Sequence, residues 1–149
     1  MIYLGADHRG FNLKEKLKAL LEEEGYEFED LGNVIYDPDD DYPDFAAAVA
    51  RRVAENPDED RGILLCGWGV GVDIVANKVK GVRSALVWSD NEALVRQSRQ
   101  HDDSNVLSLP ADHLNEEQAK KIVKLWLETP FSKEERHRRR IEEIANLES

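Results

Sequence analysis

Short apolar runs alternate with helical patterns along this whole chain, and that alternation restricts the fold more than any single motif does. Residues 2–6 read as a first strand. A helix over 11–24 follows, with Leu13, Leu17, Leu20 and Leu21 on one face and Gly25 as its stop. A second strand is expected over 26–31, then an acidic loop over 32–42, then a helix opened by Pro43 and running to about residue 55. A strand over 62–65 leads into a helix reaching about residue 80, a strand over 82–88 into a helix over 91–100, and a strand over 105–109 into a helix over 116–128. Thr129-Pro130 breaks the pattern before a last helix over 134–147. Strand–helix alternation with short connections implies an α/β fold, a parallel sheet covered on both faces through right-handed crossovers. In such sheets ligands sit at the carboxyl ends of strands, near a reversal of strand order. No internal repeat, low-complexity tract or linker is present, so residues 1–149 read as one domain.

Composition narrows the function. A chain of 149 residues can bury a real core. No apolar run approaches the ~18 residues of a membrane span. The start, MIYLGADHRG, lacks the basic region and apolar stretch of a signal peptide. Cys66 is the only cysteine, which excludes an intrachain disulfide framework and points to the cytoplasm. The net charge of −11 argues against nucleic-acid binding. It also repels anions in general, so any phosphate site must rest on a local basic cluster.

The chemistry concentrates in GILLCGWGVGVDIVANKVKG, residues 62–81. A buried strand ends in Cys66, and glycines at 67, 69 and 71 then precede a helical pattern through Ile74, Val75 and Val79. Such a junction aims unpaired N–H groups and the positive end of a helix at an anion or a developing oxyanion. Cys66 is then either a base, its thiolate favoured by the helix start, or a small buried residue at a strand end. Asp73 is a second carboxylate candidate or simply a residue complementing the helix dipole. Asp7, after the first strand, is a ligand contact or a helix cap. Arg136 and Arg140, four apart, share one helix face and could hold a phosphate with two guanidinium forks, or could be solvated.

Six segments in the same order resemble the ribose-5-phosphate isomerase B family, which also includes galactose-6-phosphate isomerase subunits. They are GADHRG at 5–10, DYPDFA at 41–46, GILLCGWGVGVDIVANK at 62–78, GVRSAL at 81–86, RQHDDSNVL at 99–107 and RHRRRIEEI at 136–144. The resemblance implies a Rossmann-like three-layer α/β/α domain with a five-stranded parallel sheet and a C-terminal helix. It implies metal-free, cofactor-free aldose–ketose isomerisation of a phosphorylated sugar, in a homodimer or homotetramer whose active sites are shared between subunits. Cys66 would be the catalytic base and His101 the proton donor for ring opening, reaching a neighbouring subunit's pocket. Gly67, Trp68, Gly69, Val70 and Gly71 would surround the enediolate. Asp7 and His8 would contact the sugar or its phosphate, Asp102 the ligand, and Arg136 and Arg140 the phosphate.

Four positions depart from that pattern. Trp68 replaces a small hydroxyl residue, Asp102 an Asn, Pro110 a Gly, and Asp112 an Arg that helps bind the phosphate. Two new acids near an expected dianion leave three readings open: a ribose 5-phosphate isomerase, an isomerase of another aldose phosphate such as a hexose 6-phosphate, and a noncatalytic module binding an anionic metabolite.

Overall fold

The computed structural model describes residues 1–148. In chain order the elements are β1 (Ile2–Ala6), α1 (Phe11–Glu23), β2 (Phe28–Asp30), α2 (Tyr42–Glu55), β3 (Arg61–Cys66), α3 (Val70–Ala76), β4 (Ser84–Leu86), α4 (Glu92–Gln100), β5 (Val106–Pro110), α5 (Glu116–Glu128) and α6 (Glu135–Leu147). The strands form one parallel sheet in the order β2-β1-β3-β5-β4. The α/β alternation read from the sequence is therefore present, with a five-stranded parallel sheet and a C-terminal helix.

The three central strands, β1, β3 and β5, are buried almost throughout, as parallel strands covered on both sides must be. Side chains alternate between two apolar layers. Ile2, Leu4, Ile63, Leu65, Leu107 and Leu109 face the α1, α4 and α5 side, where Leu17, Leu21, Ile122 and Trp126 are fully buried. Tyr3, Leu64, Cys66 and Val106 face α2 and α3, against Val49, Val53, Val72 and Ala76. Each fully buried aliphatic chain contributes roughly 1.5–3 kcal/mol, so these two layers hold the sheet between its helices.

Three elements are shorter than their patterns. β2 and β4 are edge strands with one neighbour each, and their ladders pair only Ile2–Leu4 of β1 and Val106–Ser108 of β5. The apolar run over 82–88 therefore yields a strand of only three residues. The helix expected to reach residue 80 stops at Ala76, because the Asn77 amide turns to the backbone of Ser84, accepting from its N–H at 2.8 Å and donating to its carbonyl at 3.1 Å. The final helix, α6, is exposed along its length except for the buried His137 and the half-buried Ile141.

Candidate active site

From β1 the chain runs outward to β2, then returns to place β3 on the other side of β1, so the strand order reverses between β1 and β3. Ala6 and Leu65 are register partners, which brings the next residues of both strands, Asp7 and Cys66, out side by side at the carboxyl edge. Crevices open at such points. Here the crevice is a cavity of about 330 Å³, lined by Asp7, Cys66, Gly67, Trp68, Val70 and Gly71 from the expected set and completed by Arg9, Tyr42 and Ile74.

Cys66 closes β3 on the α2/α3 side and is largely buried, with its chain at the cavity wall. The loop that follows is fixed by its carbonyls. Those of Cys66, Gly67 and Gly69 accept from the N–H groups of Ala111 (2.9 Å), Asp112 (2.9 Å) and Asp73 (3.2 Å). As at any helix start, the first N–H groups of α3 have no intrahelical acceptor. Gly69 holds the turn with φ of 73°, and a Cβ there would stand 3.0 Å from the Leu109 carbonyl carbon. Only glycine tolerates both the angle and the contact. The Trp68 indole is 57% exposed, tilted at 6.0 Å from the His113 ring, and so stands at the rim without filling the cavity.

Asp7 is buried, and one carboxylate oxygen accepts from the N–H groups of Arg9 (3.0 Å) and Gly10 (3.1 Å). The Asp7 carboxylate thus ties the turn between β1 and α1 while lining the cavity, and α1 itself starts from Gly10 with no side-chain cap. His8 turns toward Asp40: its ring Nδ1 lies 2.8 Å from an Asp40 carboxylate oxygen, which also accepts the His8 N–H at 2.9 Å. The hydrogen bond to Asp40 raises the His8 pKa above its usual value, against a smaller opposing effect of burial. Burial pushes the Asp40 carboxyl upward, but the bonds from His8 outweigh it and hold that carboxyl below its usual range. Donor atoms of Asp7, His8 and Asp40 lie within 4.8 Å of one another, the spacing of a cation site. Those donors are already engaged with backbone N–H groups and with each other.

The remaining expected residues lie elsewhere. Asp73 accepts from the Ser84 hydroxyl at 2.7 Å, and burial raises its pKa despite that bond; it faces the β4–β5 serines and not the cavity. Asp102 lines a recess of about 560 Å³ along β4, with Leu86 and Trp88. His101 caps the carboxyl end of α4, and its ring stacks on His137 of α6, with centroids 4.2 Å apart and planes at 13°. Arg136 and Arg140, also on α6, are exposed and form no ion pair among the described residues. His101 precedes the start of β5, where Val106 pairs with Gly62, whereas Cys66 pairs with Pro110 at its end. Four residues of strand at about 3.3 Å each separate those levels. One copy of the chain therefore does not bring the thiol and these three residues together.

Arg9, Tyr42, Ile74, Asp40 and His137 were not legible as site residues. Tyr42 lay inside a segment of the resemblance and Asp40 inside an acidic loop, but no spacing tied either to Cys66. Ile74 enters from α3, only eight residues after Cys66, whereas Asp40 is brought in by a contact spanning 32 residues.

Comparison with known proteins agrees with this geometry. Residues 2–144 match the family model described as Ribose/Galactose Isomerase. A probable ribose-5-phosphate isomerase B of Mycoplasma genitalium is 44% identical over 99% of this chain and 95% of its own length. The ribose-5-phosphate isomerase B of Mycobacterium tuberculosis is 41% identical over 99% of this chain and 89% of its own. The crystal structure of the Mycoplasma genitalium protein with bound ribulose-5-phosphate superposes with a TM-score of 0.94, covering 99% of this chain and 95% of that one. The family model covers nearly the whole chain, and the chain belongs to the ribose/galactose isomerase family.

Proposed function

We propose that this chain interconverts ribose 5-phosphate and ribulose 5-phosphate through a cis-enediolate, as a single domain over 1–149 that works in the cytoplasm as at least a homodimer. One observation carries the reading: the thiol of Cys66 and the glycine loop open into the same cavity where the strand order reverses. The names of the relatives, ribose-5-phosphate isomerase B, supply the sugar. The single cysteine suits a reducing compartment, where the thiol stays available.

In this mechanism the Cys66 thiolate removes the proton from C2 of the open-chain aldose. The electron pair moves to form the C1–C2 double bond of the enediolate, the thiol returns the proton to C1, and a hydroxyl proton passes from O2 to O1. N–H groups of residues 67–71 hold the developing oxyanion, each such donor contributing roughly 2.7–4 kcal/mol in well-formed oxyanion holes. Asp7 orients a sugar hydroxyl. His101, Arg136 and Arg140 act from a second copy: the first protonates the ring oxygen for opening, and the two arginines grip the phosphate. The separation of His101 from Cys66 along the sheet supports that sharing. So does the half-buried β4 edge, beside which the exposed Trp88 and, on α6, the exposed Ile144 line open recesses.

Catalytic efficiency across a panel of aldose phosphates tests the reading. Ribose 5-phosphate is expected to give the highest kcat/KM. A preference for a hexose 6-phosphate, or ligand-induced thermal stabilisation without turnover of any sugar, would overturn it.

A further inference from the structure

We propose that Arg9 is a phosphate ligand supplied by the same copy that supplies Cys66, and that Asp112 is the residue that positions it. This rests on the isomerase reading above.

Among the described residues lining the thiol's cavity, Arg9 is the one cation. It lies in the turn from β1 to α1, where the Asp7 carboxylate takes the N–H groups of both Arg9 and Gly10 and so fixes the backbone beneath the side chain. From there the side chain crosses to the loop after β3. Its guanidinium occupies the space that a side chain at position 67 would need: a Cβ on Gly67 would stand 2.5 Å from the Arg9 Nε. The glycine at 67 therefore admits a guanidinium beside the thiol, a use distinct from turning the chain. One terminal nitrogen is bonded to the Asp112 carboxylate, and Asp112 is itself held by its N–H on the Gly67 carbonyl at 2.9 Å. Three loops, after β1, β3 and β5, thus meet on one cation.

The pair is partly open, with side-chain exposures of 49% for Arg9 and 37% for Asp112. A guanidinium has five N–H donors in a planar fork, and the bond to Asp112 leaves others for a ligand. An exposed ion pair of this kind holds a geometry at little energetic cost and yields readily to a stronger acceptor. Asp112 lies two residues past Pro110, the register partner of Cys66, so the guanidinium's anchor is displaced along the chain from the level of the thiol. In an open-chain pentose phosphate the dianion is likewise several bonds from the carbon that loses its proton. A chain of net charge −11 needs a local cation to receive a dianion next to Asp7 and Asp112. Arg9 meets that need, and Asp112, an acid where an arginine was expected, becomes the anchor of a cation carried by another loop. Arg136 and Arg140 of the second copy would close on the phosphate from its other side.

The test uses the full-length protein and its Arg9→Met, Arg9→Lys and Asp112→Asn variants, each checked for an unchanged melting transition. Steady-state kinetics with ribose 5-phosphate give KM and kcat, and inorganic phosphate serves as a competitive inhibitor. Arg9→Met is expected to raise KM and the inhibition constant of phosphate together, by about 30-fold as for loss of a charge-assisted contact, with kcat changed by less than about threefold. Arg9→Lys recovers part of both. Asp112→Asn raises both by a smaller factor, because the guanidinium loses its position. Unchanged KM and phosphate inhibition in Arg9→Met overturns the proposal, as does a loss confined to kcat. Should the wild-type protein turn over no ribose 5-phosphate, the isomerase reading fails separately. Calorimetric titration with inorganic phosphate then decides on Arg9 alone: weaker binding to Arg9→Met supports it, and equal binding overturns it.

Discussion

At the scale of single residues the site is built from side chains that each serve the fold and the cavity together. Asp7 ties the turn between β1 and α1 and lines the cavity, and Gly69 turns the loop while leaving room for the β5 backbone. The sequence made these two visible because their roles depend on local chain geometry. It did not make Arg9 or Asp40 visible, since their partners stand 103 and 32 residues away. The His8–Asp40 pair carries a pH prediction. The hydrogen bond to Asp40 raises the His8 pKa, so its contribution to stability is complete below the unfolded histidine value of about 6.5 and is lost as pH rises through the higher folded value. Asp40→Asn should return the His8 titration, followed by NMR, toward about 6.5. An unmoved titration would show that Asp40 does not set it.

Among the elements, the contact between α1 and β2 is made by buried charge. Lys14 is fully buried, and its ammonium donates to both Asp30 carboxylate oxygens at 2.7 Å and to the Asn33 carbonyl at 2.6 Å, while Lys18 reaches the same carboxylate at 2.8 Å. Burial drives the Asp30 pKa upward, but the two lysines and the Gly32 N–H outweigh it and hold that carboxyl below its usual range. Its stabilisation is therefore present above the unfolded value near 3.9 and lost as pH falls through the lower folded value. Lys14→Met should cost about 3 kcal/mol in chemical denaturation at neutral pH, the lower end for breaking a buried pair because Lys18 remains. A change under about 1 kcal/mol would mean the pair contributes nothing net. The periodicity of α1 placed Leu13, Leu17, Leu20 and Leu21 in the core, and they are there. It gave no sign that Lys14, on the same helix, would be buried too, because that depends on an acid in the neighbouring strand.

Over the whole molecule, the layers of the fold could be read from the alternation of strands and helices, since each strand's burial follows from its apolar content. The division of the proposed site could not. Cys66 and His101 belong to opposite levels of the sheet, and linear spacing does not say which end of a strand a loop residue meets. Sharing between copies makes a sharp prediction. Cys66→Ala and His101→Ala proteins should each be inactive alone, yet mixing them under conditions of subunit exchange should restore about a quarter of wild-type activity, because half of the randomly formed two-fold dimers carry one intact site. No recovery despite demonstrated exchange would place both residues in the same copy's site.

In the proposed reaction the sulfur of Cys66 moves the proton between C2 and C1, and exchange of that proton with solvent reads the step out. With ribose 5-phosphate in deuterated buffer, the wild-type protein should incorporate solvent deuterium at the carbon receiving the proton. Cys66→Ala should still bind the sugar phosphate by calorimetry and show no incorporation. Incorporation by Cys66→Ala at the wild-type rate would contradict the account.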